Sequence, residues 1–478
     1  MGSRPGNLPP GEPGRAKPRG GEPDTKEGPG RRFGRLRQRY EPALVVVRGS
    51  DTAKAAGLAG AMIANNALAL GATVVFARLI GDYGSLAALV AYLLILTVAG
   101  QALQVATARE GVLGHLGVGE ALLVTVRSWT RSMVAFTAVL TVISIVLRQP
   151  IADLVGVKQH AWAAAAGLPA GCIYLEMSLL RGALQGVGDY KAVGLSLIGE
   201  QAARLVFGTI LAVVGLHLAG AYLGSLVAYA LMAAYCALEL RRRVLARLGA
   251  TRTSSPATAT AARAAVGLWR HVRLAWVPIA GLAVIQLLQN IDLIAAKHRF
   301  SPNLASSYAA TAVAAKVLIW VAMGAGFYLV PECSRRRAQG KDTRLVLLKT
   351  LAIIGVCAVP CLLIFAVAAH SLLAIVFGPS RATASASLLP LGAAFTVLAA
   401  TYLAVQYMLA LKQTLFLVAL GAVAVAEPVL LLQASRHPAG FAATVLAVQA
   451  VGALLAFALA LRRSAGAPPA AAVNPEAA

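Results

Sequence analysis

Six ionisable side chains sit inside long apolar runs of this chain: Glu176, Glu200, Arg204, Asp292, Lys316 and Glu427. Charge in hydrocarbon is costly, so each must be paired, neutralised or directed into a polar space, and each is a candidate for handling charge. Arg204 and Lys316 are cations, one in each half of the sequence. Two cations facing one cavity suit a diphosphate. The acids Asp292, Glu427, Glu200 and Glu176 suit a coupling cation such as H+ or Na+. A purely structural role competes at each position. Glu200 stands four residues before Arg204, in the favourable order for a local ion pair on a helix. Lys316 has no acid on its own helix. Gln286, Gln289 and Asn290 precede Asp292 and form a polar stripe, which faces an interior or binds neighbouring helices. Pro428 follows Glu427 and frees a carbonyl there, which either binds an ion or kinks the helix. Asn65, Asn66, Gln101 and Gln104 add polar groups that line a cavity or bond between helices. Arg78 and Arg181 stand at helix ends, where they touch a headgroup or snorkel to the interface.

Other chemistries find little to stand on. The seven histidines are scattered without ligand spacing, and no metal site is assigned. The five cysteines lie in or at the ends of apolar runs and imply no disulfide framework. No phosphate-binding G-x-x-x-x-G-K-[ST] occurs, so motive force must come from ions, a lipid gradient or a partner. No cofactor is implied. The outside loops are short, and the two longest, 148–161 and 370–382, carry a single acid, Asp153. That disfavours a membrane glycosyltransferase, and the chain is expected not to be an enzyme.

The elements that must hold these residues are membrane helices. The chain is 58% hydrophobic and 13% charged, with a mean hydropathy of +0.72. About 20 apolar residues cross a bilayer core. Twelve spans are predicted, at 56–80, 84–107, 129–147, 162–184, 191–215, 216–240, 274–297, 304–330, 345–369, 383–410, 412–433 and 438–461. With residue 1 in the cytoplasm, the inside segments hold 34 of the 43 Lys and Arg and the outside loops hold 7. Such a bias marks a multi-pass protein of the cytoplasmic membrane with both termini inside. The net charge of +24 therefore fits topology setting and anionic lipid headgroups better than nucleic acid. Residues 1–50 form a Pro/Gly-rich basic tail of disordered composition. Arg31-Arg32-Phe33 lacks the apolar region of an export signal, so the first span is expected to be a retained anchor. Residues 51–240 form one six-helix bundle, 241–272 a cytoplasmic loop, 273–462 a second six-helix bundle and 463–478 a disordered tail. The expected fold is all-α, with the two bundles around a central cavity, a common transporter plan. Counting about 1.5 Å per residue places Arg204 and Lys316 each roughly 20 Å into its helix, near the midplane, and Asp292 some 10 Å from Lys316 in depth.

Four segments carry a resemblance. Phe76-Ala-Arg-Leu-Ile-Gly-Asp-Tyr-Gly84 closes the first span, and Leu180-Arg-Gly-Ala-Leu-Gln-Gly-Val-Gly-Asp-Tyr-Lys191 joins the fourth and fifth. Asn290-Ile-Asp-Leu-Ile-Ala-Ala-Lys297, with Ser301-Pro302 and Ser307-Tyr308-Ala309-Ala310, opens the second half, and Leu329-Val-Pro331-Glu-Cys-Ser-Arg335 ends the eighth span. In order and spacing they resemble the Wzx-type branch of the multidrug/oligosaccharidyl-lipid/polysaccharide exporter superfamily, over residues 50–462. The resemblance implies alternating access by two six-helix bundles and a polyprenyl-diphosphate-linked oligosaccharide, a cell-envelope polysaccharide precursor, as cargo. It also implies a priming glycosyltransferase inside and a polymerase or ligase outside as partners. The lipid II flippase branch usually has fourteen spans and several arginines early; this chain departs from that. The alternative is a cation-coupled multidrug exporter of the same superfamily, since four acids against two bases lie within the spans.

Overall fold

Inside a bilayer every backbone N–H and C=O needs a partner within the protein, and a helix supplies one for each residue. The computed structural model of the chain describes residues 51–251, 267–339 and 341–464. The tail 1–50, residues 252–266 of the loop between halves, and residues 465–478 lie outside them. By contact, residues 55–478 form one compact unit; of the other unit, 1–54, only the start of the first helix is described.

Among the described residues sixteen α-helices follow in order: α1 (Asp51–Leu79), α2 (Tyr83–Val112), α3 (Glu120–Val146), α4 (Arg148–Val155), α5 (Ala161–Ala165), α6 (Gly167–Gly186), α7 (Tyr190–Leu211) and α8 (His217–Thr251). After the loop come α9 (Leu268–Leu274), α10 (Trp276–Arg299), α11 (Pro302–Ala315), α12 (Val317–Ala338), α13 (Arg344–Phe377), α14 (Leu388–Ala410), α15 (Phe416–Gln433) and α16 (Pro438–Ser464). No strand occurs among the described residues.

Among the described residues, eleven stretches are long and apolar enough to cross a membrane. One of them, Tyr190–Ala246, has 57 residues. As a straight helix it would be about 85 Å long, nearly three bilayer cores. It breaks at Gly215 (φ 114°) and His217 (φ 43°) into α7 and α8, which pack against each other. The crossings among the described residues therefore number twelve, with the break where the sequence divides the fifth and sixth spans. His217 is one of two described non-glycine residues at positive φ, a conformation that Gly215 adopts freely. The eighth crossing passes from α11 to α12 through Lys316, which keeps helical angles. α8 runs on to Thr251, beyond the expected end of the sixth span.

Small residues set how closely the helices approach. A Cβ on Gly224 would stand 2.4 Å from the Gly208 Cα, so α7 and α8 meet at backbone contact. α2 and α6 meet likewise at Gly111 and Gly186. Carboxylates cap the starts of two helices. Asp82 accepts from the Ser85 N–H at 3.1 Å, and Asp189 from the Ala192 N–H at 3.2 Å. The first half packs α2 on α6, α6 on α8 and α3 on α6; the second packs α14 on α16, α12 on α14 and α10 on α15. The halves meet along α2, which lies against α10 and α11. Apolar residues cover the outer faces, with Val367 89% exposed, as lipid-facing helices require.

Candidate functional site

Polar side chains gather in two clusters, one in each half, beneath a closure between α1–α2 and the second half. "Outer" and "inner" here follow the charge bias of the sequence.

In the first half, the ion pair is not the one the sequence offers. Glu200 turns away from Arg204 and meets Arg181, Nη1 to Oε2, at 2.9 Å. Arg181 is 1% exposed. Its Nε donates to Ser196 Oγ and its Nη2 to the Ser196 carbonyl, both at 2.8 Å. A buried guanidinium must fill its fork, and α6 beside α7 supplies all three acceptors at once, which a partner four residues away on the same helix cannot do for Arg204. Arg181 is thus enclosed rather than interfacial. Arg204 is left half-buried, with no ion pair among the described residues and a buried Nε without a hydrogen bond. It interacts electrostatically with the hydroxyls of Tyr83 on α2 and of Tyr222 and Tyr229 on α8. Glu176 is half-buried, accepts from Thr130 Oγ1 at 2.5 Å and keeps its other oxygen unbonded. Asn65 donates to Asn66 at 3.3 Å, and Gln104 is half-buried beside the tight approach of Gly182 to its carbonyl.

In the second half, Lys316 is 6% exposed. Its Nζ donates to Asn290 Oδ1 at 3.1 Å, lies 3.9 Å from Asp292 Oδ1 and stands 5.3 Å from the centre of the Phe395 ring. The depth count had separated Lys316 from Asp292. Side chains lean toward the start of their own helix, and these two helices run oppositely, so the two side chains lean toward each other and close the gap. Asp292 is 0% exposed and accepts from the Tyr308 hydroxyl at 3.3 Å, while its Oδ1 has no hydrogen bond. Glu427 is also 0% exposed and accepts from Gln449 Nε2 at 3.1 Å and 3.3 Å. It interacts electrostatically with Asp292. The structure therefore brings Asp292, Glu427 and Lys316 into one cluster. It joins Arg204 and Lys316 by no contact; each has partners in its own half.

The outer closure is built from Arg78, Arg381, the Lys297–Asp82 pair and the Gly84–Ser306 contact. Arg78 donates to the carbonyls of Ile375 (2.7 Å) and Val376 (2.9 Å) in the other half, so it latches rather than snorkels. Arg381 donates to the carbonyls of Ala77, Ile80 and Gly81. Lys297 pairs with Asp82 at 3.0 Å, and the Gly84 N–H donates to Ser306 Oγ at 2.9 Å. A Cβ on Gly84 would lie 3.0–3.1 Å from Ala305 and Ser306, so any larger residue there would press the two segments apart. Burial pushes the Asp82 carboxyl up, but the hydrogen bonds from Ser85 and Lys297 and the lysine charge outweigh it and hold the group below its ordinary value.

At the inner end the short α9 lies on the first half. His271 is 2% exposed, bonds Thr107 Oγ1 at 3.0 Å and stacks on Trp129 at 5.0 Å. Burial outweighs the attraction of Glu110 and lowers the imidazole below 6.5. Among the described residues, hydrogen bonds between the halves fall at the outer end, apart from Gln286 to the Leu94 carbonyl and this linker contact. The sequence offered a signal for Gln449, an isolated amide in an apolar helix; it offered none for a histidine beside a loop.

No family profile matches the sequence, and no curated protein does. Solved structures do match. A multidrug resistance MATE family transporter of the MOP superfamily, in an inward-facing conformation, superposes with a TM-score of 0.64 at 13% identity, covering 84% of this chain and 94% of that one. The lipid II flippase MurJ, in an inward closed conformation, gives 0.63 at 14% identity, covering 84% and 87%. The MATE transporter ClbM in complex with Rb+ gives 0.51 at 15% identity, covering 84% and 93%. The chain is thus an all-α, multi-pass membrane protein with the fold these transporters share.

Proposed function

We propose that the chain is an alternating-access flippase that moves a polyprenyl-diphosphate-linked oligosaccharide from the inner to the outer leaflet. The observation that carries this is Arg204: a half-buried guanidinium without an ion pair among the described residues, its buried Nε left without a hydrogen bond. Such a group fits an anionic headgroup, because phosphate oxygens satisfy both its charge and its fork. With the halves bonded mainly at their outer ends, the headgroup enters from the inner side. The glycines of α1 at 57, 60 and 71 have open space beside them, which fits a lateral opening that leaves the lipid tail in the bilayer. Asp292 and Glu427 are the coupling groups, and the flippase fold of MurJ supports the reading. Lys316, enclosed with Asp292, is assigned to coupling and not to the cargo.

Glu176 favours a second reading, cation-coupled export of a small organic cation, as the MATE fold also allows. It is half-buried with one unbonded oxygen. Reconstituted vesicles decide between them. Arg204→Ala should reduce outer-leaflet delivery of the lipid-linked sugar by about 10-fold or more, the worth of one charged hydrogen bond, and Arg204→Lys should keep part of it. Normal delivery by Arg204→Ala removes the flippase reading. Export of a cationic dye that is lost in Glu176→Gln establishes the second.

A further inference from the structure

The cluster in the second half carries an inference about which ion it takes, and this rests on the reading of that cluster as the coupling site. Asp292 and Glu427 bring two negative charges to a place where both are 0% exposed, and Lys316 brings one positive charge. The titratable groups that bond or interact electrostatically there, among the described residues, are these three and Tyr308. Of the other helices packed on the cluster, α14 contributes Phe395, α16 the Gln449 amide and α2 the Leu94 carbonyl, none of them ionisable. Neutrality in so dry a place lacks one unit of positive charge. A proton or a metal cation would supply it.

The donor pattern separates the two. Asn290 Nδ2 donates to the Gln286 carbonyl at 2.9 Å, which fixes that amide with its oxygen toward the ammonium. Gln449 Nε2 donates to the Leu288 carbonyl at 3.0 Å, so the amide shows Glu427 its N–H and not its oxygen. The Tyr308 hydroxyl points its proton at Asp292. Of the oxygens just named, all but Asp292 Oδ1 therefore face hydrogens. A hard cation needs several oxygen lone pairs at once. The one carboxylate oxygen of Asp292 without a hydrogen bond stands 3.9 Å from the ammonium, which would repel a metal ion placed there.

We propose that Lys316 is a tethered cation in the place a metal ion would occupy, so that the site exchanges a proton carried by Asp292 or Glu427 and is closed to sodium. Removing the ammonium should open it. Thermal unfolding of the purified full chain in detergent, with sodium chloride exchanged for choline chloride at constant ionic strength, reads this directly. Wild-type protein should give the same Tm in both salts, and Lys316→Met should gain a sodium-dependent rise of several degrees. The double variant Lys316→Met/Asp292→Asn should lose that rise. Sodium stabilisation of wild-type protein overturns the proposal, as does a folded Lys316→Met that ignores sodium. Should Lys316→Met not accumulate folded, infrared spectroscopy of wild-type protein at neutral pH decides: a protonated carboxyl band that Glu427→Gln or Asp292→Asn removes upholds the proposal, and its absence overturns it. None of these readouts involves transport. Undiminished, pH-independent transport by Glu427→Gln would sink the coupling reading and leave the sodium result standing on its own.

Discussion

At the scale of single residues, a buried charge is defined by its partner, and the partner is a matter of three dimensions. Arg181, Glu200 and Ser196 bind one another with 1% and 6% exposure at the two charges, and Gln201 Nε2 also donates to Glu200 at 3.4 Å. Arg181→Ala should therefore leave Glu200 uncompensated and destabilise the first half by about 3–5 kcal/mol. Arg181→Leu with Glu200→Leu should recover most of the loss, because two apolar side chains need no partner. Thermal unfolding in detergent measures both, and a single variant as stable as the double would show that the pair is not coupled. Every charged residue in this argument could be picked out in the sequence, because charge in an apolar run is conspicuous. Their pairing could not. Spacing along one helix favoured Glu200 with Arg204, and only the adjacency of α6 and α7 hands Glu200 to Arg181. Lys316 and Asp292 gave the same lesson: a ladder of 1.5 Å steps leaves out the direction in which side chains lean.

Among the elements, α9 and the α7–α8 hairpin are the most open to test. His271 binds α9 to the first half as a neutral ring, and its folded value lies below 6.5. The free ring takes up a proton first as pH falls, so the contact is at full strength above pH 6.5 and weakens as pH drops from there toward the lower, folded value. Hydrogen exchange of residues 268–274, corrected for intrinsic rate, should accelerate in that window; in His271→Phe, which keeps the stack on Trp129, it should be flat. The α7–α8 contact tolerates no side chain: Gly224→Leu should push the helices apart at Gly208 and lower Tm by several degrees, in line with a strongly overpacked core. The crossings themselves were legible because length and hydropathy decide them. The break at Gly215 and His217 was legible too, since no bilayer accommodates a straight helix of 57 residues. The placement of α9 was not, because seven residues in a loop have no period that names their neighbour.

For the whole molecule, the halves close at the outer end on a few polar contacts, and loosening them should shift the molecule toward the opposite opening. Spin labels at Lys158 and Arg436, both exposed and outside the closure, should report a longer distance population in Arg381→Ala than in wild-type protein. Three charged hydrogen bonds are lost, which is enough for a shift of about 10-fold or more in the ratio of states. An unchanged distribution would show that the bonds do not hold the closure. Acid should act through Asp82. Its carboxyl is held below the ordinary 3.8, so its contribution is complete above that value and fades as pH falls below it. Arg78 and Arg381 differ from that pair in one respect: they grip main-chain oxygen at Ile375, Val376, Ala77, Ile80 and Gly81. Every amino acid brings such an oxygen, so the lock itself asks for no particular side-chain chemistry at the receiving positions, although Ala77 and Ile80 are held by the core they fill. A suppressor screen that begins from Arg381→Glu should accordingly find no compensating basic substitution at residues 77, 80 or 81, whereas Lys297→Glu should be rescued in part by Asp82→Lys, which restores the ion pair but gives up the cap on α2.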